Sequence, residues 1–185
     1  MSPWALNRLS HAIAAGAVIG YPTDTIWGFG CDPRNGSSVD RLLQIKGRRA
    51  ARGLILLTSD VDYCEPFIRI DAEQRATLAT PAATPTTWLV EASDACPRWI
   101  KGDHPTVAMR VTSHPLIRQL CERLRLPLVS TSANRGGQST VRSALQLRRQ
   151  FADEVDFIVT GFETGGSRAS QIISLATGKV LRAAG

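Results

Sequence analysis

The sequence lacks the long apolar runs and the compositional bias that mark several protein classes. No apolar run reaches the ~18 residues of a membrane-spanning helix, so we expect no membrane segment and no membrane partner. Apolar residues make up 43% and charged residues 21% of the chain, which excludes a disordered or fibrous protein. A length of 185 residues is typical of one domain, and we predict a single domain over residues 1–185.

The chain also has few groups that hold metals or attack substrates. Its four cysteines lie tens of residues apart, which fits no zinc-site or redox motif, and its three histidines have no ligand spacing. We therefore expect no metal held by protein side chains, and reduced thiols in a cytoplasmic protein. The spacing of Leu6, Leu9 and Ile13 favours an N-terminal helix over a signal peptide.

Familiar catalytic and phosphate-binding motifs are missing as well. There is no Walker-type phosphate loop, no nucleophile elbow and no zinc-protease helix motif, and Gly28-Phe29-Gly30 lacks the third glycine of a dinucleotide fingerprint. What is present is basic charge, because Lys and Arg number 22 against 16 Asp and Glu, a net charge of +6. A basic surface favours anionic partners: nucleotides, nucleic acid or an acidic membrane.

Apolar periodicity predicts alternating helices and strands. Helices are predicted over residues 3–15 and 115–124, and a weaker one over 71–80. Two further helices are predicted to begin at the N-caps Ser38 and Ser143, the second ending near residue 152. Short apolar runs predict strands at 18–21, 54–57, 86–90, 107–111, 126–129, 157–159, 172–175 and 180–181. Residues 91–105 and 132–142 are predicted to be loops. This alternation is typical of an α/β domain.

Four polar segments could carry chemistry, because ligands of open α/β sheets bind at strand ends. They are residues 21–28 (YPTDTIWG), 46–49 (KGRR), 106–110 (TVAMR) and 130–134 (STSAN). The cations of the second could bind phosphate, and Arg110 shares a strand face with Thr106 and Ala108, where it could clamp a carboxylate. Each segment also has an ordinary interpretation: a turn, a helix-dipole contact, a surface salt bridge and a helix cap, respectively.

The four segments, in this order, resemble the YrdC-type threonylcarbamoyl-AMP synthase family, and most closely its short bacterial TsaC branch. The matching stretches are 22–33 (PTDTIWGFGCDP), 46–48 with 53–56 (KGR and GLIL), 107–111 with 114–116 (VAMRV and HPL), and 127–134 (PLVSTSAN). The resemblance spans about residues 18–182. It implies an α/β fold with a single YrdC-like domain, an open twisted mixed sheet flanked by helices.

The resemblance also implies an activity. Members of the family condense L-threonine, bicarbonate and ATP into threonylcarbamoyl-AMP and release pyrophosphate, so ATP is a substrate and Mg²⁺ is carried by the nucleotide. A TsaB/TsaD/TsaE-type complex then transfers the threonylcarbamoyl group to an adenosine next to the anticodon of certain tRNAs. The carboxylated amine must attack the α-phosphate while pyrophosphate leaves in line, so cationic groups should dominate catalysis.

Carried over residue by residue, the resemblance implies two groups of site residues. Lys46 and Arg48 are expected to be catalytic and to hold the ATP phosphates. The rest of the ATP site is expected to consist of Thr106, Ser132, Asn134, Thr140 and Arg182. Threonine is expected to bind to Thr25, Arg110, Ser130 and Ser170. Arg110 would face the threonine carboxylate.

The chain departs from the family pattern at Arg49, where proline is usual, and at Thr84, where glycine is usual. Two other functions stay open at this point. The first is a basic double-stranded RNA or tRNA-binding module, whose binding should weaken steeply with salt. The second is another carbamoyl transferase, such as a carbamoyl-phosphate user. Larger relatives carry additional zinc-binding domains for that reaction, and this sequence has neither the length nor the cysteine spacing of such domains.

Overall fold

A computed structural model describes residues 1–162 and 169–184 of the chain. Its helices are α1 (Pro3–Ala14), α2 (Gly36–Lys46), α3 (Ala72–Ala79), α4 (Arg98–Lys101), α5 (Pro115–Leu124) and α6 (Ala144–Phe151). Its strands are β1 (Ile19–Tyr21), β2 (Gly28–Gly30), β3 (Ile55–Thr58), β4 (Thr86–Glu91), β5 (Thr106–Val111), β6 (Leu128–Ser132), β7 (Phe157–Ile158), β8 (Gln171–Ser174) and β9 (Val180–Arg182). Short 3₁₀ turns lie at Ala50–Arg52 and Val61–Cys64.

The strands form one mixed sheet in the order β7-β1-β2-β6-β3-β5-β4-β8-β9. The pairs β1–β7, β3–β5 and β4–β8 are parallel, and the other neighbours are antiparallel. The predicted α/β class with a mixed sheet flanked by helices is confirmed. Strands β5 and β6, which carry two of the four predicted site segments, flank β3 in the middle of the sheet.

Two apolar clusters hold the helices against the sheet. One contains Val39 and Leu42 of α2 and Phe151 of α6, whose ring packs edge-on against Phe29 at 5.0 Å between centroids. The other contains Ile13 of α1 and Leu120 of α5. Burial of side chains such as these contributes about 1.5–3 kcal/mol each, so the two clusters fix the sheet on which the site is built. Among the described helices, none is long and apolar enough to cross a membrane.

Local capping signals were predicted with mixed success. Ser143 caps α6 as predicted, because its side chain accepts a hydrogen bond from the Gln146 amide at 3.2 Å. The prediction that Ser38 caps α2 is wrong. The cap is Asn35, whose Oδ1 accepts from the Ser38 amide at 3.1 Å, while the Ser38 hydroxyl donates to the Gly16 carbonyl.

Two elements were missed. Strand β2 is built around two glycines and gives no apolar pattern, yet it pairs with both β1 and β6. Glycine is required at Gly30 because a Cβ there would lie 2.5 Å from the Val129 carbonyl oxygen. The single-turn helix α4 lies inside residues 91–105, which were predicted to be a loop. Both elements border the site described next.

Candidate functional site

A cavity of about 430 Å³ opens on one face of the central strands. The strand register builds this face, because Ala108 of β5 pairs with Ile55 of β3, which in turn pairs with Ser130 of β6. Alternation then directs every second side chain of these strands into the cavity. Of the predicted site residues, those that line it are Thr25, Arg48, Thr106, Arg110, Ser130, Ser132, Thr140, Ser170 and Arg182.

A second, adjoining cavity of about 310 Å³ lies at the C-terminal end of α2. It shares Arg48, Arg52 and Ser132 with the first cavity. The two remaining predicted residues, Lys46 and Asn134, line it. The structure therefore brings all of the predicted site residues to two adjoining cavities, and their individual roles stay predictions.

Arg110 is the buried cation at one end of the first cavity. It is only 5% exposed. Its Nη2 donates to the Asp24 carboxylate at 2.5 Å, and its Nη1 donates to the Thr25 hydroxyl at 3.0 Å. A guanidinium has five N–H donors, so these two bonds leave others for a substrate. Arg110 lines the cavity and is held in place by groups on the Thr23–Ile26 turn.

That turn is rigid because the Thr23 side chain bonds to its own backbone. The Thr23 hydroxyl accepts from the amides of Thr25 and Ile26, at 3.1 and 3.2 Å, and donates to the Ile26 carbonyl at 2.7 Å. Such local hydroxyl bonds are typical of threonine in turns. The turn therefore presents the Thr25 hydroxyl and the Asp24 carboxylate to Arg110 in one arrangement.

Ser170 and Arg182 lie together at the edge of the same cavity. The Arg182 guanidinium donates to the Ser170 carbonyl at 2.8 Å, and the hydroxyls of Ser170 and Thr87 are 2.8 Å apart. Strand β8, which follows Ser170, pairs in parallel with β4, which carries Thr87. Pairing of β8 and β9 with the sheet thus adds a neutral hydroxyl pair and a cation to this wall.

Cationic side chains cluster near the second cavity. Arg48 donates to the Gly53 carbonyl at 2.7 Å, and within the described part of the chain its buried Nε has no partner. Burial, and then the nearby charge of Arg52, lowers the pKa of the Arg48 guanidinium. Among the lining residues that the structure describes, neither cavity has an Asp or a Glu. This end of the site therefore suits an anion.

Three lining residues escaped the prediction of the site from the sequence: Lys101, His104 and Arg52. They meet because α4 docks on the 3₁₀ turn at Ala50–Arg52. The Asp103 amide donates to the Ala51 carbonyl at 3.1 Å, and the Leu54 amide donates to the Ile100 carbonyl at 2.8 Å. No local pattern marks a contact between segments so far apart in sequence, so only the basic character of residues 48–52 was a usable signal.

The two departures from the family pattern lie in different places. Arg49 lines the second cavity, where it adds a further cation. Thr84 is exposed and lies outside the lining of both cavities, and its carbonyl accepts from the Thr86 hydroxyl at 2.7 Å. The glycine expected at this position is therefore not needed for close approach to either cavity.

The four cysteines are free and buried, which argues against a thiol nucleophile. Burial raises the pKa of each thiol, to about 11 for Cys121. We expect no cysteine of the native protein to react with a thiol reagent within minutes near pH 8, whereas all four should react after denaturation. Absorbance of the released thiolate checks this, and one fast-reacting thiol in the native state would contradict it.

Comparison with known proteins places this site in a family. The Sua5/YciO/YrdC family model, described as "Telomere recombination", matches residues 11–184. A protein of Pseudomonas fluorescens strain Pf-5 named threonylcarbamoyl-AMP synthase is 42% identical over 188 residues, covering 98% of both chains. A protein of Chromohalobacter salexigens with the same name is 42% identical over 180 residues, covering 95% of this chain and 97% of its own.

A solved structure supports the same relationship. The crystal structure of P. abyssi Sua5 complexed with L-threonine superposes on the whole chain with a TM-score of 0.90 and 28% identity. The chain spans 55% of the length of that protein, whereas it spans nearly all of the two bacterial relatives. The predicted family resemblance is confirmed, and the chain belongs to the Sua5/YciO/YrdC family.

Proposed function

We propose that the chain is an L-threonylcarbamoyladenylate synthase, a nucleotidyltransferase that makes threonylcarbamoyl-AMP and pyrophosphate from L-threonine, bicarbonate and ATP. The observation that carries the proposal is a continuous site with an arginine–threonine pair, Arg110 and Thr25, at one end and a group of cations at the other. The names of the close relatives and the L-threonine bound to P. abyssi Sua5 agree with it.

The threonine end would recognise a zwitterionic amino acid. Arg110 would bind the carboxylate through the N–H groups that Asp24 and Thr25 leave free, since bidentate arginine–carboxylate pairs are strong and directional. The hydroxyls of Thr25, Ser130 and Ser170 would bind the remaining polar groups of threonine. Leu57 and Ile55, which line the same wall, would pack against its methyl group.

The nucleotide end would stabilise charge during group transfer. Threonine nitrogen and bicarbonate first give a carbamate with loss of water. A carbamate oxygen then bonds to the α-phosphorus, the bond from that phosphorus to the bridging oxygen breaks, and pyrophosphate leaves with the electron pair. Arg48 and its neighbouring cations would stabilise the charge on the transferring phosphate and on pyrophosphate.

The remaining nucleotide contacts would come from neutral groups and one further arginine. Thr106, Ser132, Asn134, Thr140 and Arg182 would hold ATP. Mg²⁺ would be held by the ATP phosphates, because the lining residues within ranges 1–162 and 169–184 offer neutral oxygens and cations but none of the carboxylates that a protein-held Mg²⁺ prefers. The metal would supply further positive charge next to the phosphates.

We also propose that residues 1–185 act as one domain in the cytoplasm and hand their product to a TsaB/TsaD/TsaE-type complex. The product is a reactive mixed anhydride, so a direct transfer to the enzyme that modifies tRNA would limit its hydrolysis. Binding of tRNA or double-stranded RNA to the basic surface stays a prediction, and its signature would be a steep loss of affinity with salt.

Incubation of the purified protein with ATP, Mg²⁺, bicarbonate and threonine tests the proposal. We expect a product with the mass of threonylcarbamoyl-AMP that requires all the components, together with an equal amount of pyrophosphate. Reactions without threonine, or with serine in its place, are the controls. Pyrophosphate release without threonine would indicate a different substrate, and no turnover with salt-sensitive RNA binding would favour the binding module.

A further inference from the structure

The hairpin formed by β8 and β9 supplies one wall of the first cavity. Its lining residues are Ala169 and Ser170, which precede β8, Ile172 of β8 and Arg182 of β9. The hairpin lies at one end of the sheet, where β8 pairs with β4 and β9 forms the edge. A ligand in the cavity is therefore enclosed between this terminal hairpin and the central strands β5 and β6.

Unlike the central strands, the hairpin lies outside the apolar core. Among the residues that the structure describes, those of β8 and β9 belong to neither of the two apolar clusters. Strand β8 is half-buried throughout and β9 is exposed, with Val180 53% and Leu181 51% exposed. By contrast, Leu56 of β3 and Met109 of β5 are fully buried. Separating the hairpin from the sheet would therefore expose much less apolar surface than separating β3 or β5.

Hydrogen bonds hold the hairpin to the rest of the sheet along the β4–β8 seam. The Gln171 amide donates to the Pro85 carbonyl at 3.0 Å, and the Gln171 Nε2 donates to the Thr86 hydroxyl at 2.7 Å. The Leu175 amide donates to the Leu89 carbonyl at 3.0 Å. The net contribution of each such bond is small, because the freed groups can bond to water instead.

The two ends of the hairpin are attached differently. Leu175, directly after β8, packs against the first of the two apolar clusters. At the other end of β8, Ser170 meets β4 through its hydroxyl, which lies 2.8 Å from the Thr87 hydroxyl. The bond from Arg182 to the Ser170 carbonyl lies within the hairpin and would move with it. The end that lines the cavity is therefore held by polar contacts, whereas the far end is anchored in the core.

We propose that the β8–β9 hairpin is a gate, which opens along the β4–β8 seam, pivots near Leu175 and must open for nucleotide to enter and leave the cavity. A ligand that contacts both the hairpin and the central strands binds the closed state better and holds the gate shut. The opening stands on the geometry alone, whereas its consequence for nucleotide exchange rests on the proposed function.

Hydrogen exchange of single amides in the ligand-free protein tests the opening. The Gln171 amide bonds across the seam, whereas the Val129 amide of β6 donates to the Cys31 carbonyl in the middle of the sheet. We expect at least ~100-fold weaker protection at Gln171 than at Val129, because opening of the gate breaks only the seam. Low concentrations of urea should hardly change exchange at Gln171, since a local opening exposes little surface. Equal protection with equal urea dependence would overturn the proposal.

A reversible cross-link tests whether the opening controls nucleotide exchange. Thr86 and Gln171 are register partners in neighbouring parallel strands, which places their Cα atoms within the range of a disulfide. Both lie outside the described linings of the two cavities. In oxidised Thr86→Cys/Gln171→Cys, we expect the association and dissociation rates of a fluorescent N-methylanthraniloyl derivative of ATP with Mg²⁺ to fall together, each by at least ~10-fold. The Kd should hardly change, and reduction should restore both rates.

Equal nucleotide rates in the oxidised and reduced forms would overturn the gate, even if the seam exchanges fast. A higher Kd with an unchanged association rate would also contradict it, because that pattern indicates a distorted cavity. The reduced form of the same protein is the control for the two substitutions. Stopped-flow fluorescence measures the association rate, and displacement by unlabelled ATP measures the dissociation rate.

A loosened seam should have the opposite effect and needs no cross-link. Gln171→Ala removes the side-chain bond to Thr86, so both nucleotide rates should rise by the same factor of about 3–10 while the Kd stays constant. Gln150→Ala, at an exposed glutamine of α6, is the matched control and should change neither rate. Wild-type rates in Gln171→Ala would contradict the gate. If the wild type binds no ATP, the proposed function fails, while hydrogen exchange still decides whether the hairpin opens.

Discussion

Replacement of Arg110 by alanine is expected to raise the KM for threonine by about 100-fold or more while the KM for ATP stays within a few fold. Loss of one partner of a buried charge pair costs about 2–5 kcal/mol, and the substrate carboxylate would lose the buried guanidinium that faces it. The Asp24 carboxylate, whose Oδ2 is bound to Arg110, would also lose its partner. Steady-state kinetics with each substrate varied in turn measures the effect.

The controls separate substrate binding from folding. Arg118→Ala removes an exposed arginine of α5 that makes only a loose 3.9 Å pair with Glu122, and it should change nothing. Arg110→Ala/Asp24→Ala removes both members of the buried pair and should recover part of the lost stability without recovering threonine use. Normal threonine kinetics in Arg110→Ala would end the assignment of Arg110 to the carboxylate.

Replacement of Gly102 by alanine is expected to lower the free energy of unfolding by about 3 kcal/mol or more. Gly102 has a φ of +66°, and an added Cβ would lie 2.3 Å from the Ala51 carbonyl oxygen and 2.6 Å from the Gly53 nitrogen. Left-handed backbone costs a non-glycine residue about 1–2 kcal/mol, and overpacking adds about 1–3 kcal/mol. The clash is with backbone, so it can be relieved only if α4 moves away from the Ala50–Arg52 turn.

Gly178→Ala is the matched control for this variant. Gly178 has nearly the same φ, +68°, but nothing lies within 4 Å of its added Cβ. It should therefore cost only the backbone term of about 1–2 kcal/mol. Denaturant unfolding of both variants gives the difference due to the clash. Folded Gly102→Ala protein should also bind ATP more weakly, because Arg52 and Lys101 flank the contact that the new methyl group forces apart. Equal free energies of unfolding for Gly102→Ala and Gly178→Ala would contradict the prediction.

What could be predicted from the sequence were features that depend on neighbours along the chain. Ser143 caps α6 through a hydrogen bond with the amide of a residue only three positions later in the chain. The common face of Thr106 and Arg110 follows from the alternation of side chains along a strand. The partners of the site residues could not be predicted in this way. Asp24 and Arg110 are 86 residues apart, and Lys46 and Asn134 are 88 residues apart. Such pairs are set by the order of strands in the sheet, which no local pattern encodes.

Residue identity alone also leaves the contacts of a side chain open where one residue type serves two purposes. A lysine followed by Gly47 and Arg48 suggests phosphate binding, but the same lysine at a helix end can bind carbonyl oxygens. The structure shows Lys46 in contact with such oxygens, and its binding of phosphate stays a prediction. Strand β2 was not predicted because its two glycines give no apolar pattern, although the close approach of Gly30 to the Val129 carbonyl makes it part of the sheet.

The strand order has a consequence for protein synthesis. Thr25 precedes β2, the second strand to leave the ribosome, whereas Arg182 belongs to β9, the last of the described strands, and both line one cavity. A nascent chain can assemble the Arg110 end of the cavity once β6 has left the ribosome and has inserted between β2 and β3 in the sheet. The wall formed by Ser170 and Arg182 must wait for β8 and β9. The growing polypeptide therefore cannot enclose its substrates until translation of these strands is complete.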